Sequence, residues 1–208
     1  MRIVLAAVAG AFVVYVWGVL AWLVLPLHAN TLGQLPAGDM VANLLMESGT
    51  KTGAYSYPFP DAHEPNARPE DQKAAWDEFT RRHEQGPIFS IYYQAAGSPP
   101  MGPDVMGRGF AIDLISSLLA VLIVAPLAQA GASFWQRWKT VFCLGLFASF
   151  VSYGALWNWM LFPSKFIVDM MLDVTICWTL AGCVIAAILK APAPTAAPTT
   201  TPTAASHA

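Results

Sequence analysis

Four runs of apolar residues, each long enough to cross about 30 Å of hydrocarbon, are separated by polar intervals of very unequal length. They are Ile3 to Leu27, Phe110 to Ala128, Thr140 to Leu161 and Phe166 to Leu189, and each is predicted to be a transmembrane helix. The first run also has the look of a secretory leader, because Leu27, His28 and Ala29 loosely match a cleavage site. Its 25 residues outrun the about 7 to 15 of a signal core, so it is read as a spanning anchor.

The long interval, 28–109, carries its own pattern. Asp39 is placed to cap a short helix whose Met40, Val41, Leu44 and Leu45 form one stripe, with Gly49 to end it. A second helix has clearer ends: Pro69 in its first turn, Glu70 and Asp71 at the positive end of the dipole, Arg81, Arg82 and His83 at the negative end, and Gly86 beyond. Asp77 with Arg81 and Glu78 with Arg82 are i,i+4 pairs, and Trp76, Phe79 and His83 share the other face. Around Tyr55, Tyr57 and Phe59, and again over Ile88 to Tyr93, the composition is that of strands, whose mutual direction the sequence leaves open. The expected fold is therefore a mostly α integral membrane protein, with four transmembrane helices and a small α+β extracytoplasmic cap inserted between helices 1 and 2. The expected boundaries are 1–27, 28–109, 110–190 and a disordered Ala, Pro and Thr tail, 191–208. A cap this short is expected to need both a small core of its own and support from the bundle.

Composition agrees with the membrane reading: 56% of residues are apolar and 12% charged, about half the charged share of soluble domains. Among short flanks, Arg2, Arg137, Lys139 and Lys190 fall on one side and Lys165 on the other. By the positive-inside rule the first side is cytoplasmic, with both termini, and the long interval is periplasmic in a bacterial inner (plasma) membrane. Trp135 and Trp138 at one end, and Trp157 and Trp159 at the other, suit interfacial belts. The interval 28–109 holds six basic and ten acidic residues, a net charge of −4, which disfavours nucleic acid as a partner. Cys143, Cys177 and Cys183 all lie in the third and fourth runs, so no disulfide framework is expected in the cap.

Ionisable groups inside spans mark candidate sites, because hydrocarbon penalises charge. The last run holds Asp169 and Asp173 one turn apart, with Lys165 one turn earlier, and Asp113 lies near the start of the second run, close to Arg108. These five residues, with Ser152, Tyr153 and Asn158 from the third run, form the candidate intramembrane polar cluster. One reading is cation binding or proton relay. The other is an interhelical knot in which Asp113 and Asp169 pair with Arg108 and Lys165 while Asp173 bonds hydroxyls of a neighbouring helix. Beyond Asp173 only Thr175 and Thr179 continue inward, so a complete channel is not expected.

Other constellations are thin. His28, His63 and His83 with Met40, Met46, Met101 and Met106 have side chains that suit Cu(I) but match no compact spacing, and no metal or cofactor is expected. Neither a nucleophile elbow nor a phosphate loop occurs, so no catalytic residues and no nucleotide are expected. Ala6 with Gly10, Gly145 with Ser149 and Gly182 with Ala186 are small-xxx-small pairs for helix packing. The expected function is a non-enzymatic accessory or assembly protein whose cap contacts a membrane or periplasmic protein partner. The alternatives are a cation- or proton-responsive protein using the carboxylate cluster, and a membrane enzyme acting on a lipid or envelope precursor.

Overall fold

The computed structural model describes residues 1–60 and 68–190; the Ala, Pro and Thr tail and His63 lie outside them. The chain is mostly helical and divides into two compact units. One comprises Met1–Gly33 with Met101 onward, and the other Gln34–Pro100.

The first unit holds four helices long and apolar enough to span a membrane. Helix α1 (Arg2–Val19) runs on through a π-helical turn, Leu20–Val24, into a single 3₁₀ turn, Pro26–His28. The lobe between contributes α2, β1, α3 and β2, described below. Helix α4 (Pro103–Gln129) begins seven residues earlier than the apolar run suggests, since Pro103 suits a first turn. Helix α5 (Phe134–Ser149) continues through a π turn, Phe150–Gly154, into α6 (Ala155–Met160), and α7 (Ser164–Ile188) completes the set. Helix α1 packs on α4 and α7, and α5 packs on α7.

Small residues let these helices approach. Ala6, Gly10, Gly145, Ser149, Gly182 and Ala186 are all buried. A methyl group added at Gly10 would meet Ser117 of α4, one at Gly145 would meet Trp178 of α7, and one at Gly182 would lie 3.2 Å from Val141 Cβ. Around them Val121, Val124, Val141 and Ile185 form the fully buried core. Outward, Phe12, Leu119, Phe147 and Val168 are all more than half exposed, an apolar surface of the kind that hydrocarbon, not water, solvates.

At one end of this unit Ser133 opens α5 with a capping box: its Oγ accepts from Gln136 N–H (3.3 Å) and its own N–H donates to Gln136 Oε1 (2.7 Å). Arg137, one residue on, is buried, and its guanidinium donates to the carbonyls of Ala186 and Ala132. A cation thus satisfies the carbonyl end of α7, where the helix dipole is negative. Of the four tryptophans expected at interfaces, Trp135, Trp157 and Trp159 are exposed. Trp138 instead turns inward and donates to Thr179 O at 3.2 Å.

The second unit contains α2 (Gly38–Glu47), β1 (Gly53–Tyr57), α3 (Pro69–Gln85) and β2 (Phe89–Tyr93). The strands are antiparallel, with Gly53 opposite Tyr93 and Tyr57 opposite Phe89, whose rings stack at 5.3 Å. Asp39 is not the cap of α2. Ala37 enters the helix in a left-handed conformation (φ +55°) rather than the extended one a side-chain cap requires, and Asp39 falls within the first turn, where its charge still faces the dipole. The other end follows expectation: Gly49 (φ +68°) closes a Schellman motif, with Thr50 N–H on Leu45 O and Gly49 N–H on Met46 O.

Helix α3 runs from Pro69 to the positive-φ Gly86, and Trp76, Phe79 and His83 line one face. Glu78 pairs with Arg82 as expected, but Asp77 pairs with Lys73 (2.7 Å) because Arg81 is taken bidentately by Glu78. Among the described residues of this unit only Pro58 is buried. The expected small core is absent there: Met40 and Leu44 of the α2 stripe are 72% and 65% exposed.

Candidate functional site

The last run of the sequence places Lys165, Asp169 and Asp173 on one face of α7, and the structure shows what they meet. Lys165 Nζ donates to Asp169 Oδ2 at 2.6 Å. The same Oδ2 accepts the Thr31 hydroxyl at 2.6 Å, and Thr31 Oγ1 lies 3.1 Å from His28 Nδ1. On the far side of the imidazole, His28 Nε2 is 3.2 Å from Asp173 Oδ2. Trp17 Nε1–H closes the series on Asp173 Oδ1 at 2.6 Å. His28, Thr31, Asp169 and Asp173 are all buried. The series runs Lys165, Asp169, Thr31, His28, Asp173, Trp17.

The chain folds this way for local reasons. Helix α1 ends in the π turn and Pro26, which cannot continue a hydrogen-bonded helix. The following 3₁₀ turn swings His28 and Thr31 back against α7, and Trp22 stacks on the imidazole with ring centres 3.9 Å apart and planes 11° from parallel. Residues 28–33 therefore belong with the helices, not with the lobe.

Donor accounting fixes the proton inventory. Asp169 takes two donors on one oxygen, one of them an ammonium, so it is an ionised acceptor. Thr31 has one proton, spent on Asp169, and must accept from His28, which puts a proton on Nδ1. Nε2 and Asp173 Oδ2 then face each other with room for one proton between them. The couple is either imidazolium with carboxylate or neutral imidazole with carboxylic acid. Both descriptions are neutral overall. Without that proton, two lone pairs would oppose each other and the contact would break. The flat face of Trp22 suits a cationic ring.

Other predicted site residues are distributed unevenly. Asp113 and Tyr153, both half-buried, line a cavity of about 570 Å³ together with Trp17, Trp22 and Asp173. Arg108 does not join them. It is exposed and pairs with Asp104 at 3.1 Å, because i−4 lies beneath it on α4 whereas Asp113, at i+5, sits about 140° round the helix. Asn158 and Ser152 are exposed. Asp173 bonds an indole and an imidazole rather than the hydroxyls of a neighbouring helix. Thr175 and Thr179 donate within α7, to Met171 O and Thr175 O, so they do not extend the series inward.

Sequence reasoning missed His28, Thr31, Trp17 and Trp22. A signal was available: His28 follows the end of the first span, at the level where Asp169 and Asp173 enter the last. Among the described residues no three His, Cys, Asp or Glu side chains are grouped to hold a metal ion.

Four helices long and apolar enough to cross a membrane suggest the class of multi-pass membrane proteins. Comparison with protein-family models, with curated proteins and with solved structures yields no match.

Proposed function

We propose that the chain is a proton-responsive protein of a bacterial inner membrane, with both termini cytoplasmic and the buried series near the periplasmic face. The observation that carries the reading is the His28–Asp173 couple, which is complete only with one shared proton. Basic residues at Arg2, Lys139 and Lys190, against Lys165 at the opposite ends of the spans, support the orientation. The groups that face the couple are Thr31, Trp17 and Trp22 from the first segment, Asp169 and Cys177 from α7, Asp113 from α4 and Tyr153 from the π turn after α5. Lys165 balances Asp169, and the couple holds a proton that can enter or leave. The sign follows from the geometry: with the shared proton the His28–Asp173 contact holds, and without it two lone pairs oppose each other, while Trp17, which donates to the other oxygen of the same carboxylate, reports on its state.

The test is the indole N–H resonance of Trp17 in the full chain in nanodiscs, followed from pH 5 to 8. It should shift with pH and stop shifting in Asp173→Asn and in His28→Gln. A wild-type resonance that stays fixed across the range, or shifts equally in both variants, overturns the proposal.

A second reading, an accessory protein whose periplasmic lobe contacts a protein partner, is favoured by a different observation. The Gln34–Pro100 unit exposes Leu35, Met40, Leu44, Met46 and Trp76, and exposed apolar side chains gathered on one small unit are a feature of contact surfaces.

A further inference from the structure

Three of the four carboxylates along the spans of the helical unit have their charge accounted for: Asp104 by Arg108, Asp169 by Lys165, and Asp173 by the proton it shares with His28. Asp113 is the fourth. It has no hydrogen-bond or ion-pair partner among the described residues, it is half-buried, and it lines the 570 Å³ cavity. No Lys, Arg or His lines that cavity. Its walls are instead aromatic, from Tyr15, Trp17, Trp22, Tyr153 and Trp178, with aliphatic side chains between them. A volume in the range of small-molecule sites, mostly apolar walls and one carboxylate in want of a cation make a specific combination. Aromatic faces attract cations as well as apolar surface, and a carboxylate sheltered from water calls for a positive charge.

We propose that this cavity binds an ammonium group carried on an apolar body, with Asp113 as the counter-charge and the Trp and Tyr faces around the cationic head. A compact inorganic cation would leave the aromatic walls unused, and a neutral lipid tail would leave Asp113 uncompensated. The amine of an ethanolamine lipid headgroup and a free amphiphilic amine share the required chemistry. The site shares Trp17, Trp22 and Asp173 with the His28–Asp173 couple, but its counter-charge is Asp113, which takes no part in that couple.

The probe is phenyltrimethylammonium, compared with its neutral isostere tert-butylbenzene. Each is titrated into the full chain in phosphatidylglycerol nanodiscs and read by tryptophan fluorescence, with empty nanodiscs correcting for partition. The cation should quench saturably and bind at least tenfold more tightly than the isostere. Asp113→Asn should weaken the cation at least tenfold, and Asp113→Glu should retain it. Tyr153→Leu should weaken the cation and spare the isostere, which provides a second route should Asp113→Asn fold poorly. Equal affinity for the two probes, or undiminished cation binding in Asp113→Asn, overturns the proposal. The pH response of Trp17, measured on probe-free samples, reports on the proton couple. Replacing phosphatidylglycerol by phosphatidylethanolamine distinguishes the sources: competition by the lipid assigns the site to a headgroup, and unchanged affinity assigns it to a free amine.

Discussion

The helical unit and the Gln34–Pro100 lobe use the same side-chain chemistry in opposite settings. In the helical unit the His28–Asp173 pair leaves only 2% and 13% of its side chains exposed, whereas in the lobe Lys73–Asp77 leaves 77% and 62%. Apolar residues complement this. The helical unit combines a dry core at Val121, Val124 and Ile185 with an apolar exterior, while the lobe leaves Met40, Leu44 and Trp76 exposed around almost no interior. The difference shows where a charge is informative. In the lobe, ion pairs are solvated surface features that contribute little to stability. Among the helices a buried polar group is costly to leave unmatched, so each pairing of the series constrains position and protonation together.

The sharpest way to break this contrast is to remove the acceptor at the centre of the buried series. Asp173→Leu puts an apolar side chain of similar length in its place and leaves Trp17 N–H with no acceptor and His28 Nε2 with no partner. Breaking a buried pair from one side costs about 3 to 5 kcal/mol in soluble proteins, and hydrogen bonds between membrane helices average about 0.6 kcal/mol. The expected loss lies between these, about 2 kcal/mol, measured by reversible unfolding in mixed micelles. A loss below about 0.5 kcal/mol would mean that the series is no more demanding than the surface pairs.

The lobe should respond in the opposite way. Met40→Ser and Leu44→Ser each remove an exposed apolar side chain, and each should shift stability by no more than about 0.5 kcal/mol. If the lobe contacts a partner, the same substitutions should reduce cross-linking to it in native membranes by several-fold. A stability loss beyond about 1 kcal/mol with cross-linking intact would mean that these residues belong to an interior, and the contrast between the two units would fail.

How much of this was legible in the sequence divides along the same line. The four long apolar helices were readable because hydrophobic length is a property of contiguous residues. So were both ends of α3, from Pro69 and Gly86, and the small pairs such as Gly10 and Gly182, since each is a local signal. The one-face arrangement of Lys165, Asp169 and Asp173 follows from helical spacing alone. Their partners were not legible. His28 and Thr31 reach α7 because a π turn and Pro26 redirect the chain after α1, and no local pattern states which way it swings. Arg108 was misassigned to Asp113 for want of the helix start: once α4 begins at Pro103, Asp104 becomes the i,i−4 partner. The small core expected of the lobe did not follow from the stripe of α2, because an apolar stripe says only that a face wants cover, not that the same unit supplies it.

The smallest expected effect concerns the best-formed ion pair of the lobe. Hydrogen bonds from Arg81 and Arg82 hold the Glu78 carboxyl down at about 2, below its ordinary 4.5. A carboxylate depressed in the folded state contributes its full stabilisation above pH 4.5, and loses it as the pH falls from there toward 2. The side chains are well exposed, so the contribution is small, and salt near 1 M, where the screening length is about 3 Å, should erase most of it. The carboxyl carbon resonance of Glu78 should therefore titrate near pH 2 at low salt and move toward 4.5 at high salt. Glu78→Gln should reduce the salt dependence of α3, leaving the share of Lys73–Asp77, without altering Trp17 or its pH response. A Glu78 midpoint near 4.5 at low salt would show that even the tightest pair of the lobe is too solvated to register, widening the gap between the two regions. A midpoint near 2 that resists 1 M salt would narrow it, since only a sheltered pair behaves in that way.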